Sequence, residues 1–466
     1  MRSLGFHGFN DTASLGRWTL VVCLCLVPSS LPVFAQAFAL LHSFHGIDGA
    51  GPSAETLVQG RDGNLYGTTA VGGTMSDGTV FRITPQGGLS VYSFDGTHGS
   101  IPFAGLVLGT DGVLRGTTEL GGTSNEGVVF SIGPQAPVIS LLSFDGSNGK
   151  SPGAPLTMGV DGNYYGTTLL GGTHNLGTIF KLTPTGTLTE LHSFNTAEGG
   201  SPTSGLVYGV DHALYGVTPT GGTSNQGTIY RITPSGNFGT VYSFDGPHGA
   251  VPFGALVLGN DDNFYGTTVG GGDFSMGTVF KLDPTRTVTV LHSFDVTDGD
   301  SPQAGLIQAT DGILYGTAFG GGTQSAGTIF SITTGGSFAV LYNFDTTHGA
   351  APWGLMQHTN GKLYGTTDAG GASMFDGTVF SLDMGLGPFV TFVIPFGRVG
   401  SGVQILGAGL TGATAVTFNG VPATTFKVVS DTFMGAIVPP GATTGPVQVT
   451  TPSGILTSNV SLQFVP

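Results

Sequence analysis

The chain has 466 residues, including 83 glycines and 26 prolines, and only 9% of its residues are charged. An aromatic fraction of 10% and a positive mean hydropathy exclude a disordered chain, which would be polar and highly charged. The net charge of −15 argues against nucleic acid and an anionic membrane surface as partners, because both attract lysine and arginine.

The first segment, residues 1–37, has the pattern of an export signal. A mostly apolar run at Trp18–Phe34 follows basic residues and precedes the small-residue motif "VFAQA". Proline and serine interrupt the run, which favours a removed signal peptide over a membrane anchor. We therefore expect a secreted or cell-surface protein with no transmembrane segment in the mature chain. Both cysteines, Cys23 and Cys25, lie in this leader, so the mature chain would have no thiolate.

Residues 38–386 form a tandem repeat. The stretch "DGNLYGTTAVGGTMSDGTVF", which begins at Asp62, is the first of seven similar copies. Its central glycine recurs at steps of 49 or 50 residues, at Gly67, Gly116, Gly166, Gly216, Gly266, Gly316 and Gly365. A period of this length is typical of repeat architectures.

Each repeat contains four short runs rich in Val, Ile, Phe, Tyr and Thr, separated by turn residues such as Asp-Gly. Seven such units predict a seven-bladed β-propeller, since propellers have about 4–8 blades of four strands. The chain begins with a fourth strand, "FALLHSF", and the last repeat stops after its third, "GTVFSLD". We therefore predict that residues 38–44 complete the last blade, which would remove a free sheet edge.

The pattern "DGNLYGTT…GG…GTVF…LHSF" resembles the GloVer-type tandem repeat of exported bacterial proteins over residues 38–386. That family is defined by its repeat and not by a reaction, so the resemblance supplies no catalytic residues. The tyrosine of the motif recurs in six copies and is expected to pack within the blades. Arg115 replaces it in the remaining copy and is expected to reach a nearby acidic loop.

Long connections such as "DGTHGSIPF" and "AVGGTMSDG" alternate with short turns such as "TDG" and "TPQGG". Antiparallel alternation places both long sets on one face, the long-loop face, and the short turns on the other, the tight-turn face. Function usually lies on long loops, so we predict that the long-loop face binds a ligand. The candidate ligand-binding residues on it are His98, His248, His348, Asp95, Asp245, Asp345, Phe103, Phe253 and Trp353.

Two interpretations are open for these candidates. The aspartates are expected either to cap their own turns or to contribute to a ring that holds a cation or a sugar. The aromatic residues are expected either to fill the space between blades or to contact a ligand. Turns do not require histidine, so the three imidazoles are equally consistent with binding and with ordinary loop polarity. The sequence assigns no metal ligands and no catalytic residues.

The composition changes at residues 387–466, which we predict to be a separate domain. The pieces "ILGAGLTGATAVTFNGVPAT" and "VPPGATTGPVQVTTPSG" resemble an IPT/TIG domain, which implies an immunoglobulin-like spacer or binding module. Short alternating strands independently predict a β-sandwich. Within it, Gly407, Gly409 and Gly412 match G-x-G-x-x-G, but strand-like residues follow where a nucleotide fold needs a helix. No cofactor is therefore expected.

The sequence thus predicts an all-β, monomeric protein: a seven-bladed β-propeller followed by a small immunoglobulin-like β-sandwich. The first functional hypothesis is a non-enzymatic binding protein whose partner is a glycan or a surface protein, because no repeat combines an acid, a base and a nucleophile. The alternative is a carbohydrate-active enzyme, a glycoside hydrolase or lyase, with two carboxylates on the long-loop face. A third hypothesis is a scaffold that a bound cation stabilises.

Overall fold

The computed structural model of the chain describes residues 36–52, 56–133 and 137–464. The predicted signal peptide lies almost entirely outside these residues. The regular structure of the described residues is β throughout, with no α-helix. Consequently they offer no apolar helix of the length needed to cross a membrane. The all-β prediction is confirmed for this part of the chain.

Within the described ranges, seven antiparallel sheets correspond to the repeats, and the fourth strand of the last sheet comes from the N-terminus. The first strands are Val58–Gln59, Val107–Leu108, Thr157–Met158, Val207–Tyr208, Val257–Leu258, Ile307–Gln308 and Ala350–Gln357. The second strands are Leu65–Thr69, Leu114–Thr118, Tyr164–Thr168, Leu214–Thr218, Phe264–Gly270, Leu314–Ala318 and Leu363–Ala369. The third strands are Thr79–Ile83, Val128–Ile132, Thr178–Leu182, Thr228–Ile232, Thr278–Leu282, Thr328–Ile332 and Thr378–Asp383. The fourth strands are Leu89–Ser93, Ile139–Ser143, Leu188–Ser193, Phe238–Ser243, Val288–Ser293, Phe338–Asn343 and Ala37–Ser43, and the fifth sheet has an additional strand, Ala250–Pro252.

The N-terminal strand completes the last repeat sheet. Ala37–Ser43 pairs antiparallel with Thr378–Asp383, which confirms the pairing predicted from the order of the repeats. The first and last repeat sheets also meet directly. Gln59 Nε2 donates to Thr359 Oγ1 at 2.9 Å, and Thr359 N donates to Gln59 Oε1 at 3.0 Å, with both residues buried. The two ends of the repeat array therefore lie side by side.

The recurring glycine has a packing cause. Gly67 lies opposite Phe81 of the neighbouring strand, and a Cβ at Gly67 would lie 2.6 Å from the Phe81 ring. Phe81 is fully buried and touches Phe44 of the last repeat sheet, with ring centroids 5.3 Å apart. Glycine and phenylalanine therefore recur together, because the ring from the third strand fills the space above the glycine of the second strand. The core lies mainly between neighbouring sheets.

The recurring tyrosine packs in the sheet and holds the Asp-Gly turn. Tyr66 is buried, and its hydroxyl donates to Asp62 Oδ2 at 2.9 Å. The same bond joins Tyr165 to Asp161, Tyr215 to Asp211, Tyr265 to Asp261 and Tyr315 to Asp311. Arg115 makes the equivalent contact, because its Nη2 donates to Asp111 Oδ2 at 2.7 Å. The predicted packing role of the tyrosine and the predicted acidic partner of Arg115 are both confirmed.

The C-terminal residues form two four-stranded sheets and one parallel pair. One sheet contains Thr391–Phe392, Gly402–Leu406, Phe433–Ile437 and Thr425–Ser430, and the other contains Val421–Pro422, Ala415–Phe418, Val447–Thr451 and Gly454–Thr457. The parallel pair is Phe396–Gly397 with Gln463–Phe464. A single buried core, which includes Ile405, Val416, Met434 and Val449, joins residues of both sheets. The G-x-G-x-x-G segment leads into the strand Ala415–Phe418, as expected for a turn and not for a nucleotide loop.

These C-terminal residues pack on the tight-turn face of the repeats. Thr432 Oγ1 donates to the Arg61 carbonyl at 2.7 Å, and Gln404 Nε2 donates to the Thr110 carbonyl at 2.7 Å. The Arg61 guanidinium lies 4.6 Å from the centroid of the Phe433 ring. The tight-turn face, opposite the predicted binding face, is therefore partly covered by another part of the same chain.

Candidate functional site

The two sets of long loops meet on one face, as predicted. Gly73 N, after a second strand, donates to Gly46 O, after a fourth strand, at 2.8 Å. Antiparallel bridges join the same two kinds of loop at Ala50 with Val71 and at Ser100 with Leu120. The loops that follow a fourth strand then run inward to the first strand of the next repeat. One loop can therefore carry residues at the rim and at the centre of the long-loop face.

The candidate aspartates and histidines form pairs at the rim. Asp95 Oδ1 accepts the backbone N–H of His98 at 2.8 Å, and the His98 ring lies against the same carboxylate with Nδ1 at 2.8 Å from Oδ2. The backbone N–H of His98, followed by its ring, lowers the pKa of Asp95. Asp245 with His248 and Asp345 with His348 repeat this arrangement. These three rim pairs confirm that the aspartates cap their own turns, and each pair stays within its own loop.

In each rim pair, part of the imidazole ring remains exposed to solvent. The side chains of His98, His248 and His348 are 43%, 48% and 45% exposed. In each ring Nδ1 faces the aspartate, and among the described residues no side chain or backbone group hydrogen-bonds to Nε2. Nε2 is therefore the ring nitrogen that each loop can offer to a ligand.

The candidate aromatic residues meet at the centre of the face. The Trp353 ring centroid lies 5.5 Å from that of Phe103, 6.4 Å from that of Phe253 and 5.9 Å from that of Phe319. These residues belong to the seventh, second, fifth and sixth repeats, so the rings meet across the middle of the sheets and not only between neighbours. We call them the central aromatic cluster. Trp353 is only 4% exposed, whereas the three phenylalanines are half-buried.

Two carboxylates that the sequence interpretation missed lie on the same inner loops. Glu119 and Asp368 directly follow the Gly-Thr-Thr of the second and seventh repeats, where the other repeats have Ala70, Leu169, Pro219, Val269 and Phe319. Since Phe319 at this position reaches Trp353, the position is central. A comparison of this column across the repeats would have identified both acids from the sequence.

Glu119 occupies space that another repeat gives to an aromatic ring. Its backbone N–H donates to Ile101 O at 3.0 Å, two residues before Phe103. Gly153, the third-repeat equivalent of Phe103, lies so close that a Cβ there would be 2.9 Å from Glu119 Oε1. Burial raises the pKa of Glu119, because a half-buried carboxylate loses hydration.

Asp368 lies beside the central aromatic cluster. Burial raises its pKa, and the nearby Trp353 indole N–H opposes that effect only in part. The Trp353 Nε1 is buried and has no partner with good hydrogen-bond geometry among the described residues. An acceptor and a donor are thus held close together without satisfying each other fully, and a buried polar group without a partner calls for a specific explanation such as a water, an ion or a functional role.

The loops that carry Phe103 and Phe253 also contain β-branched residues in an unusual backbone conformation. Ile101 and Val251, each two residues before the ring, have φ of 55° and 56°. β-branched residues rarely adopt this left-handed region, and the other repeats have glycine, serine or alanine there. The equivalent residue has a positive φ in all seven repeats, so the conformation belongs to the fold, and only the β-branched side chains at these two positions are unusual.

A second concave region lies on the tight-turn face. It is a cavity of about 940 Å³ between first-strand residues such as Met158, Val207 and Tyr208 and C-terminal residues such as Phe396 and Phe464. His212 also lines the cavity, and its Nδ1 is buried with no protein partner among the described residues. The volume suits a small molecule. This cavity is the main competitor of the long-loop face as a binding site.

Fold and repeat together define an all-β repeat protein with a propeller-like fold. The family model for the Gloeobacter/Verrucomicrobia repeat matches residues 30–157, 90–260 and 214–427, and the chain belongs to this family. A search of curated proteins finds no match.

Among solved structures, virginiamycin B lyase from Staphylococcus aureus is similar at 15% identity and a TM-score of 0.51, over 75% of this chain and 98% of that one. The extracellular domain of a hybrid two-component system protein from B. thetaiotaomicron is similar at 13% identity and a TM-score of 0.48, over 89% of this chain and 53% of that one. The similarity to the lyase structure supports the fold alone, because at 15% identity it carries no information on activity.

Proposed function

We propose that the protein is a secreted or cell-surface binding protein that recognises a glycan on its long-loop face. The observation that carries the proposal is the convergence of aromatic rings from separate repeats, with Asp368 beside Trp353 and Glu119 at the loop position that Phe319 occupies in the sixth repeat. The repeat architecture does not require this convergence, because the equivalents of Phe103, Phe253 and Trp353 in the other four repeats are Ser53, Gly153, Thr203 and Gln303.

The chemistry of these groups suits a hydroxylated ligand with an apolar face. Half-buried phenylalanine rings can contact the C–H face of a sugar, and carboxylates accept hydrogen bonds from its hydroxyls. Trp353 is too deeply buried to contact a ligand over its ring and supports the phenylalanines from below. The rim pairs add three exposed imidazole nitrogens on the same loops, five residues before the rings.

A carbohydrate-active enzyme, a glycoside hydrolase or lyase, is the second candidate. The raised pKa of both Glu119 and Asp368 favours it, because a general acid must keep its proton near the working pH. The binding function ranks first, since Asp368 lies beside Trp353 and, among the described residues, no nucleophile or base contributes to the environment of either acid.

The finer architecture is part of the same proposal. The side-by-side first and last repeat sheets support a closed, seven-bladed ring, and the N-terminal strand would complete its seventh blade. The two C-terminal sheets around one core support an immunoglobulin-like domain of the IPT/TIG type. Export would require removal of the leader, and the mature protein would be a monomer.

A glycan array with the purified chain tests the function, followed by calorimetric titration of any glycan that binds. The triple variant His98→Ala, His248→Ala, His348→Ala and the single variant Glu119→Gln should weaken binding at least about tenfold, the effect of roughly one lost hydrogen bond to a charged group. Thr185→Ala and Ser235→Ala, in exposed tight turns, are the matched controls and should bind normally.

The outcomes separate the candidates. Binding that His212→Ala abolishes and the long-loop variants retain would assign the ligand to the cavity on the tight-turn face and refute the proposal. Turnover of the bound glycan that both Glu119→Gln and Asp368→Asn eliminate would establish the enzyme instead.

A further inference from the structure

The loop that follows the N-terminal strand differs from its six equivalents. Its residue after the recurring phenylalanine is His45, where the other repeats have Asp95, Asp145, Asn195, Asp245, Asp295 and Asp345. The same loop also contains His42 and Asp48. No other repeat places two histidines and a carboxylate within seven residues.

The three side chains converge on one point. Asp48 Oδ2 lies 2.9 Å from His42 Nε2 and 2.8 Å from His45 Nδ1. All three donor atoms lie within 4.8 Å of one another. The other oxygen, Asp48 Oδ1, accepts the backbone N–H of His45 at 2.9 Å, which fixes the carboxylate with Oδ2 directed at both rings. Such an outer hydrogen bond is typical of metal-ligating carboxylates.

Two other repeats show which part of this arrangement belongs to the fold. His192 lies 3.0 Å from Glu198, and His292 lies 2.9 Å from Asp298, in the positions of His42 and Asp48. The pair of one histidine and one acid is therefore architectural. The second histidine is an addition, and its side chain is 64% exposed, so no packing requirement explains it.

We propose that His42, His45 and Asp48 form a binding site for a divalent transition-metal ion of the Zn²⁺ class. Two imidazoles and one carboxylate are a common ligand set for Zn²⁺, and a fourth position remains for water or an oxygen of another molecule. Donors around a tetrahedral ion at about 2.0–2.1 Å are roughly 3.4 Å apart, so small side-chain rotations in the loop suffice. The net charge of −15 further favours a cation. The site lies at the rim of the long-loop face, and the proposal does not depend on glycan binding.

The test is a titration of the untagged, chelator-treated chain with Zn²⁺, together with visible absorption spectra of the Co²⁺ complex. We expect one ion per chain, a d–d spectrum with nitrogen and oxygen ligands, and a rise in melting temperature on binding. His45→Asn gives this loop the residue that the fourth repeat has at Asn195, beside the equivalent pair His192 and Glu198, so it should fold normally. It should weaken binding by more than about tenfold, since even outer-shell changes at metal sites cost roughly 10–100-fold.

His292→Ala is the matched control, because it removes the histidine of a repeat that has no second imidazole. It should leave stoichiometry and affinity unchanged. Absence of stoichiometric Zn²⁺ binding by the wild-type chain would overturn the proposal. So would binding that His45→Asn retains, since the ion would then lie at another site.

Discussion

The contribution of the N-terminal strand to stability can be tested at Phe38. Its ring stacks on Tyr342 at a centroid distance of 4.1 Å and lies 5.4 Å from Phe380 and 5.9 Å from Phe344. It therefore connects the N-terminal strand both to the last repeat sheet and to the fourth strand of the sixth sheet. Phe38→Ala removes these contacts and leaves the backbone pairing with Thr378–Asp383 in place.

The expected loss follows from burial. A fully buried phenylalanine costs about 3–5 kcal/mol when it is replaced by alanine, and Phe38 is half-buried, so we expect a decrease of about 2 kcal/mol in the free energy of unfolding. Leu40→Ala is the control, since Leu40 lies on the same strand but is 39% exposed and should cost less than about 1 kcal/mol. Urea denaturation followed by circular dichroism measures both. If the two variants were equally stable, Phe38 would not anchor the strand. Deletion of residues 38–44 should lower the melting temperature much further, because it exposes a buried sheet edge.

Three further predictions concern other parts of the molecule. Glu119→Gln should raise the free energy of unfolding at pH 7, because the raised pKa of Glu119 means that ionisation destabilises the fold. This gain should vanish as the pH falls below the ordinary carboxyl range, and a gain independent of pH would contradict the cause. Arg115→Tyr should change the free energy of unfolding by less than about 1 kcal/mol, because a tyrosine hydroxyl can replace the guanidinium at Asp111. Arg115→Ala should lower it by about 2 kcal/mol, because Asp111 then loses its partner. Equal melting temperatures of the two variants would contradict this. Residues 387–466 alone should unfold cooperatively with a β-type circular dichroism spectrum, because their core is formed within the segment, and a disordered spectrum would count against the boundary.

Much of the repeat could be predicted because each position recurs. Strand order, the pairing of the N-terminal strand and the packing of Tyr66 all follow from seven related copies of one unit. Repetition also explains why turn capping was one of the two roles expected for Asp95, since a residue that recurs in most repeats is expected to serve the structure of each repeat. The C-terminal packing on Arg61 and Gln404 could not be predicted, because it depends on two surfaces that are distant in sequence and carry no repeated pattern.

For a related reason, the sequence predicted the aromatic residues of the central aromatic cluster but not the two acids near it. Phe103, Phe253 and Trp353 were found because they follow a recurring proline, but their meeting across the centre depends on the closure of the sheets. Glu119 and Asp368 could be identified only by a comparison of the residue after Gly-Thr-Thr across all seven repeats, because each is an isolated acid at the end of a strand. A one-dimensional period shows which residues are equivalent, whereas only the three-dimensional arrangement shows which equivalents face one another.

Departures from the repeat are therefore informative only when their contacts are known. Arg115 is as unusual in its column as Glu119 is, yet it bonds the same aspartate as the tyrosine that it replaces and so preserves the architecture. Glu119 replaces apolar residues, faces a glycine that leaves room for it, and loses hydration without a side-chain hydrogen-bond partner among the described residues. His45 replaces an aspartate and directs a second imidazole at a carboxylate that already has one. Arg115 keeps a contact that recurs among the repeats, whereas Glu119 and His45 add polar groups that the repeat architecture does not require. Those two are the positions at which a repeat protein of this kind is expected to have acquired its ligands.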